Sequence, residues 1–181
     1  MLSRSKTFNT EGIVLKRFNT GETDRIVTLL TRDYGKLVCV AKGARKLKSS
    51  KLAHLESGNR IKAFLVKTKG LPLLTQTTLI EDTAETRASL AKIRRLAQIL
   101  EVFDRLFVEE DTDQPAYLMA LKLERLVMKN AKFDLIQKEL NKLLQHLGYQ
   151  DFDLTSHKSI LDYVAELSEK KMKSFEFLKV E

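Results

Sequence analysis

The chain has 181 residues, of which 43% are hydrophobic, enough to bury the core of one large domain or two small ones. Its formal net charge is +8, and the basic excess lies in residues 1–80, where 16 Lys and Arg face 5 Asp and Glu, against 16 and 19 in residues 81–181. The single cysteine excludes a disulfide framework or a multi-cysteine zinc site within the chain. No apolar run approaches the roughly 18 to 20 residues of a membrane span, and no secretory signal is apparent, so we expect a soluble cytoplasmic protein.

Five short segments of the first half have the composition of β-strands. Each is rich in β-branched and apolar residues and ends at a turn containing Gly, Asp or Pro. They cover residues 7–18, 24–31, 36–42, 60–68 and 73–81. Because five strands are the number in an OB-fold barrel, the sequence predicts that fold for residues 1–82. Cys39, within an apolar strand, is predicted to be a buried small side chain.

Cations lie on these strands and on the long connection over residues 43–59. A surface that neutralises phosphates releases condensed counterions, which predicts salt-sensitive binding of a nucleic acid. A basic surface kept for solubility is the minority interpretation at a net +11 over eighty residues. The candidate phosphate-binding residues are Lys16, Arg17, Arg25, Arg32, Lys36, Lys42, Arg45, Lys46, Lys48 and Lys51.

Aromatic residues are few in this half, which favours phosphate contacts over base stacking as the main source of affinity. Phe18 and Tyr34 are the candidate stacking platforms, whereas Phe64 is predicted to lie in the core because its neighbours are apolar.

From about residue 83 the apolar period changes from two to 3.6, which predicts an α-helical domain over residues 83–181. Apolar residues at helical spacing predict a first helix ending near Glu109. Asp113 is predicted to cap a second helix over residues 116–130, Asp134 a third that ends at Gly148, and Ser156 a fourth. The fold class is therefore α+β, an amino-terminal five-stranded OB-fold barrel followed by helices.

Signatures of catalysis are missing from the sequence. His54, His146 and His157 occur singly, without the spacing that places two metal ligands on one helix face, so each is interpreted as a surface or packing residue. Glu22 and Asp24 are close enough to share a Mg²⁺ ion, yet strand capping and pairing with Arg25 is the favoured interpretation. We expect no catalytic residue, no metal and no cofactor.

Several segments resemble the bacterial recombination mediator family RecO. They are GETDR at residues 21–25, LTR at 30–32 with GK at 35–36, AKGAR at 41–45 with Ser49, and a closing segment that includes Phe177 and Leu178. Many family members carry a four-cysteine zinc module after the helix that here ends at Leu147-Gly148-Tyr149, but no cysteine follows Cys39. The resemblance is thus to a short form without that module.

The resemblance implies a non-enzymatic role in recombinational repair. Family members bind single- and double-stranded DNA, anneal complementary strands and, with RecR, help RecA replace the single-strand binding protein SSB. It implies that RecR contacts the barrel and that the acidic, Phe-ended SSB tail docks on the helices, for which a slot rimmed by Arg94, Arg95 or Arg125 is the generic expectation. An OB-fold RNA-binding protein and a helical adaptor with a basic barrel remain the alternatives.

Overall fold

The computed structural model describes residues 6–46, 49, 51–169 and 172–174. Lys48 and the closing residues Phe177 and Leu178 lie outside this description. The chain divides into two compact units, one of residues up to Thr83 together with Glu109–Thr112, the other of Ala84–Val108 and the residues from Asp113 onward. The division into a domain of residues 1–82 and a domain of residues 83–181 stays a prediction. Within the described ranges, no helix has both the length and the apolar composition needed to cross a lipid bilayer.

The first unit is a closed barrel of five strands, which confirms the predicted fold class. Its strands are β1 (Thr7–Thr20), β2 (Asp24–Thr31), β3 (Gly35–Ala41), β4 (Arg60–Val66) and β5 (Leu73–Glu81), and a short helix, α1 (Lys51–His54), lies in the connection between β3 and β4. They are ordered β1-β2-β3-β5-β4, and among these five described strands the pair β3 and β5 is parallel whereas the other pairs are antiparallel. The strand positions follow the sequence prediction within two residues, because each turn has the residues that it requires.

Side chains along the strands alternate between the barrel interior and its surface, and the inward ones fill the core. In β4, Ile61, Ala63 and Leu65 are buried, so Phe64 between them points to the other face. There the Lys62 ammonium lies 5.6 Å from the centre of the Phe64 ring. The prediction that Phe64 lies in the core was therefore wrong. Cys39 was predicted correctly, since it is fully buried, and its burial raises the pKa of the thiol to about 12.

A segment that follows the first long helix packs on the barrel. Gly35 and Lys36 form isolated bridges with Glu109, and the backbone N–H of Glu110 donates to the Lys36 carbonyl at 3.1 Å. Gly35 has φ +61°, and a Cβ added to it would lie 2.1 Å from the Asp111 carbonyl oxygen. Glycine is thus required here both by the backbone conformation and by the close approach of the segment.

The described part of the second unit contains the helices α2 (Leu90–Leu106), α3 (Gln114–Met128), α4 (Phe133–His146) and α5 (Ile160–Leu167). Asp113 caps α3 as predicted, accepting the Ala116 N–H at 2.8 Å, and Gly148 follows α4 with φ +86°. The predictions for two other caps were wrong. Asp134 lies in the first turn of α4 rather than before it.

Ser159, rather than Ser156, caps α5, with its Oγ accepting the Leu161 N–H at 3.2 Å. A 3-10 helix at Phe152–Leu154 lies just before Ser156, so α5 begins later in the chain, at Ile160.

Candidate nucleic-acid interface

The connection between β3 and β4 begins with a basic turn that is fixed to the barrel. The Asp24 carboxylate accepts the Gly43 N–H at 2.8 Å, and the Thr23 carbonyl accepts the Arg45 N–H at 2.9 Å. Ala44 is fully buried between these anchors. The backbone of residues 43–45 is therefore held at both ends.

Three of the predicted cations, Lys42, Arg45 and Lys46, are exposed on this turn, and we call them the basic loop cations. Their neighbour Lys51 begins α1 and donates its ammonium to the Lys42 carbonyl at 2.9 Å. Because the backbone beneath them is fixed, binding through these exposed charges requires little ordering of the backbone.

Arg25 occupies a different environment from the loop cations. It is 6% exposed, and its guanidinium donates to the Asn19 side chain at 3.3 Å and to the Leu52 carbonyl at 3.4 Å. Glu56 lies between Arg25 and Arg17, with one carboxylate oxygen on each guanidinium. Burial, followed by the charge of Arg17, lowers the pKa of Arg25. We propose that Arg25 positions the connection, because a phosphate could reach it only after that packing opened.

The predicted cations are spread along the barrel rather than gathered at one end. Arg32 and Lys36 flank the turn between β2 and β3, whereas Arg25 begins β2 at the other end. Arg25 and Arg32 are seven residue steps apart along the chain, about 23 Å at the usual rise of a strand. The Glu109–Thr112 segment also brings carboxylates to the side of Lys36. Lys16 lies midway along β1, half-buried, next to the register shift after Val14.

The two candidate stacking residues differ in exposure. Phe18, on the β1 strand beside Arg17, is 58% exposed. Tyr34 is half-buried and packs edge-on against Phe8, with ring centres 4.8 Å apart. Lys67, which the sequence interpretation passed over, lies 5.7 Å from the Phe8 ring. The Lys-Thr-Lys run in the β4–β5 turn was the signal that could have identified it.

The histidines take hydrogen-bonding roles. His54 bonds the Thr77 hydroxyl at 2.9 Å, His146 the Asp113 carboxylate at 2.9 Å, and His157 the Glu166 carboxylate at 2.6 Å. Among the residues that the structure describes, no group of three or more potential metal ligands comes together.

Asp24 is held in its charged form by the turn that it anchors. The Gly43 N–H is the main cause that keeps the pKa of this carboxyl below its ordinary value of 3.8, and the Thr23 hydroxyl, Lys42 and Lys46 act in the same direction. Its stabilising effect is therefore complete above the unfolded-state pKa and is lost as pH falls through the lower folded-state pKa.

We expect Asp24→Asn to lower the stability of the barrel at pH 7, because asparagine still accepts the Gly43 N–H but carries no charge. The difference from the wild type should shrink as the pH falls below about 3.8 and disappear below the lower pKa of the folded state. Urea unfolding at several pH values measures it. A difference that persists undiminished at the lowest pH would contradict the assignment.

The helical unit contains an apolar pocket of about 540 Å³. Its walls come from α2, α3, α4 and the start of α5, and they include Leu90, Ile99, Val127, Phe133, Ile136 and Leu140. Arg94 and Arg95 also line it, whereas Arg125 lies outside the lining. Arg95 donates to the Asn130 side chain at 2.9 Å, which fixes its guanidinium at the rim. The pocket thus combines apolar walls with two of the three arginines that were expected.

Comparison with known proteins gives concordant matches. Residues 5–82 match the family profile described as "Recombination protein O N terminal". The chain is 34% identical over 149 residues to the DNA repair protein RecO of Roseiflexus sp. (strain RS-1), which covers 81% of this chain and 52% of that protein. It is 38% identical over 125 residues to the DNA repair protein RecO of Bacillus subtilis (strain 168), covering 68% and 48%. The chain spans about half the length of the curated relatives that it matches.

Proposed function

The chain belongs to the RecO family, and we propose that it binds single- and double-stranded DNA through phosphate contacts and anneals complementary strands without enzymatic chemistry. The observation that carries the proposal is the fixed basic turn with Lys42, Arg45 and Lys46 exposed on it. Neutralising phosphates on two strands lowers their mutual repulsion and requires no reading of bases.

The proposed cellular role is that of a recombination mediator. RecR would contact the barrel, and the chain would assist RecA in replacing SSB on single-stranded DNA. This part of the proposal rests on the family resemblance, and the short form is proposed to act without the zinc module. A charge excess confined to the first half supports a barrel that binds DNA and helices that bind protein.

We propose that the helical pocket receives the acidic, Phe-ended tail of SSB. A terminal aromatic ring suits the apolar walls formed by Phe133, Ile136 and Leu140. Carboxylates next to that ring would lie near Arg94 at the rim. Because Arg95 already donates to Asn130, Arg94 is the better candidate for contact with the tail.

Arg94→Ala is expected to weaken binding of an acidic peptide ending in Phe by about two- to fivefold, the usual value of a partly exposed ion pair. Removal of the terminal Phe should abolish binding, because the apolar contact is then lost. Fluorescence anisotropy of a labelled peptide measures both effects. Arg125→Ala is the matched control, since it removes the same charge outside the pocket lining. Equal effects of the two arginine variants would contradict the assignment of the pocket.

Strand annealing tests the proposed function as a whole. Complementary DNA strands coated with SSB, one with a donor and one with a quencher, should anneal faster in the presence of the protein. Binding of RNA with no annealing of DNA would favour an OB-fold RNA-binding protein. Absence of any nucleic-acid binding would favour a helical adaptor whose barrel binds an acidic protein.

A further inference from the structure

A second concave site lies on the barrel unit, beside the turn between β4 and β5. It has a volume of about 430 Å³. The lining residues that matter here are Phe8, Tyr34, Lys67, Thr68, Pro72 and Glu110. We call this site the aromatic cleft. Unlike the apolar pocket of the helical unit, it combines two rings, a cation and a carboxylate.

The rings of the aromatic cleft are held in place before any ligand arrives. Phe8 and Tyr34 meet edge to face, with ring centres 4.8 Å apart and planes inclined by 62°. The Tyr34 backbone N–H donates to the Thr31 hydroxyl at 3.1 Å, and that hydroxyl donates to the Gly35 carbonyl at 2.7 Å. Since Thr31 is 2% exposed, the turn carrying Tyr34 is anchored in the barrel. An aromatic ring fixed in this way loses little entropy when a flat ligand stacks on it.

Positive charge lies on one side of the aromatic cleft. Lys67 is exposed and its ammonium is 5.7 Å from the centre of the Phe8 ring. Its backbone N–H donates to the Lys6 carbonyl at 2.7 Å, which brings a second exposed lysine beside it, and Lys69 follows in the turn. The turn itself is braced by Thr68, whose hydroxyl donates to the Leu71 carbonyl at 2.8 Å. These cations suit a phosphate.

A carboxylate is contributed from another part of the lining. Glu110 is exposed and has φ +58°, a conformation that non-glycine residues seldom adopt. Its backbone N–H donates to the Lys36 carbonyl at 3.1 Å, which fixes this conformation. A carboxylate disfavours a second phosphate but accepts hydrogen bonds from the amino or imino groups of a base. The arrangement therefore fits a ligand that has one anionic end and one flat, hydrogen-bonding end.

We propose that the aromatic cleft binds one unpaired nucleotide of a DNA single strand, with its base against Tyr34 and its phosphate at Lys67. This inference rests on the proposed DNA binding and adds a contact that duplex DNA cannot make, because paired bases are stacked inside the helix. Annealing is favoured when a protein binds single strands more tightly than the duplex that they form. A base contact that is available only before pairing supplies that difference in affinity.

Titration with thymidine monophosphate, followed by amide NMR shifts of the ¹⁵N-labelled chain, tests the aromatic cleft directly. Shifts are expected at Thr68, Gly70 and Thr112, and Tyr34→Leu should abolish them whereas Tyr34→Phe, which keeps the ring, should preserve them. Absence of shifts at the cleft with saturating nucleotide would overturn the proposal. Circular dichroism melting of both variants checks that the barrel remains folded.

A 12-residue oligothymidylate and an abasic strand with the same phosphates separate this proposal from the proposed function. The base-containing strand should bind about tenfold more tightly, and Tyr34→Leu should remove that difference. Equal affinities for the two strands would overturn the cleft proposal while phosphate binding stands. A third outcome is that the nucleotide shifts the amide signals of the cleft while the affinity for the oligonucleotide does not depend on Arg45 and Lys46. That outcome would support the cleft and contradict the proposed function.

Discussion

Replacing Lys42, Arg45 and Lys46 together with alanine is expected to lower the affinity for single-stranded DNA by on the order of 100-fold at 0.1 M salt. Each phosphate contact contributes about 0.7 to the slope of log affinity against log salt for single strands, so three lost contacts reduce the slope by about 2. The loss should be the same for all base sequences, since phosphate contacts carry no base information. Anisotropy titrations at several salt concentrations measure both quantities.

The matched control for this variant removes three exposed lysines from the helical unit, Lys129, Lys138 and Lys158. It lowers the net charge by the same amount, so a general electrostatic effect would weaken both variants alike. We expect the control to retain most of the affinity and nearly all of the slope. If the two variants lose affinity equally, the DNA path does not lie on the basic turn, and Arg32 and Lys36 become the next candidates.

Gly35→Ala is expected to destabilise the barrel by about 3 kcal/mol or more. Adopting φ +61° costs a side-chain residue about 1 to 2 kcal/mol. The new Cβ would also lie 2.1 Å from the Asp111 carbonyl oxygen, so the backbone of the Glu109–Thr112 segment must move. Hydrogen exchange of buried β2 amides measures the free energy of unfolding of the barrel itself.

Two other glycines separate the contributions to this loss. Gly21 has φ +56° with open space around its Cβ position, so Gly21→Ala should cost only the conformational part, about 1 to 2 kcal/mol. Gly70 has open space and no positive φ, so Gly70→Ala should change stability by less than about 0.5 kcal/mol. Equal losses for Gly35→Ala and Gly21→Ala would show that the Glu109–Thr112 segment does not press on Gly35.

The Glu109–Thr112 segment places acidic residues beside two of the predicted cations of the barrel. Arg32 and Lys36 resemble the loop cations in sequence, yet they flank a turn beside which Glu109, Glu110 and Asp111 lie. A phosphate approaching Lys36 would meet these carboxylates, whereas Lys42, Arg45 and Lys46 project from the turn that Asp24 anchors. We therefore expect the basic loop cations, which follow β3, to contribute more to DNA affinity than Arg32 and Lys36.

The sequence by itself determined the local features of this protein. Alternation with a period of two and the turn residues between the strands were sufficient to predict β2 and β5 at their observed limits. The same local rule identified Asp113 as the cap of α3, because a cap needs only its own side chain and the next turn of backbone. The family resemblance depended on local runs such as GETDR and AKGAR, and the matches to RecO proteins agree with it.

Only the tertiary structure decided features that join residues far apart in the chain. It alone brought Glu56 between Arg17 and Arg25 and buried the Arg25 side chain, which is the basis for proposing that Arg25 positions the connection. It also carried Glu110 to the cleft with Phe8 and Tyr34, from more than seventy residues away. Such contacts depend on barrel closure and on the path of the chain after α2, and no pattern within a short window encodes them.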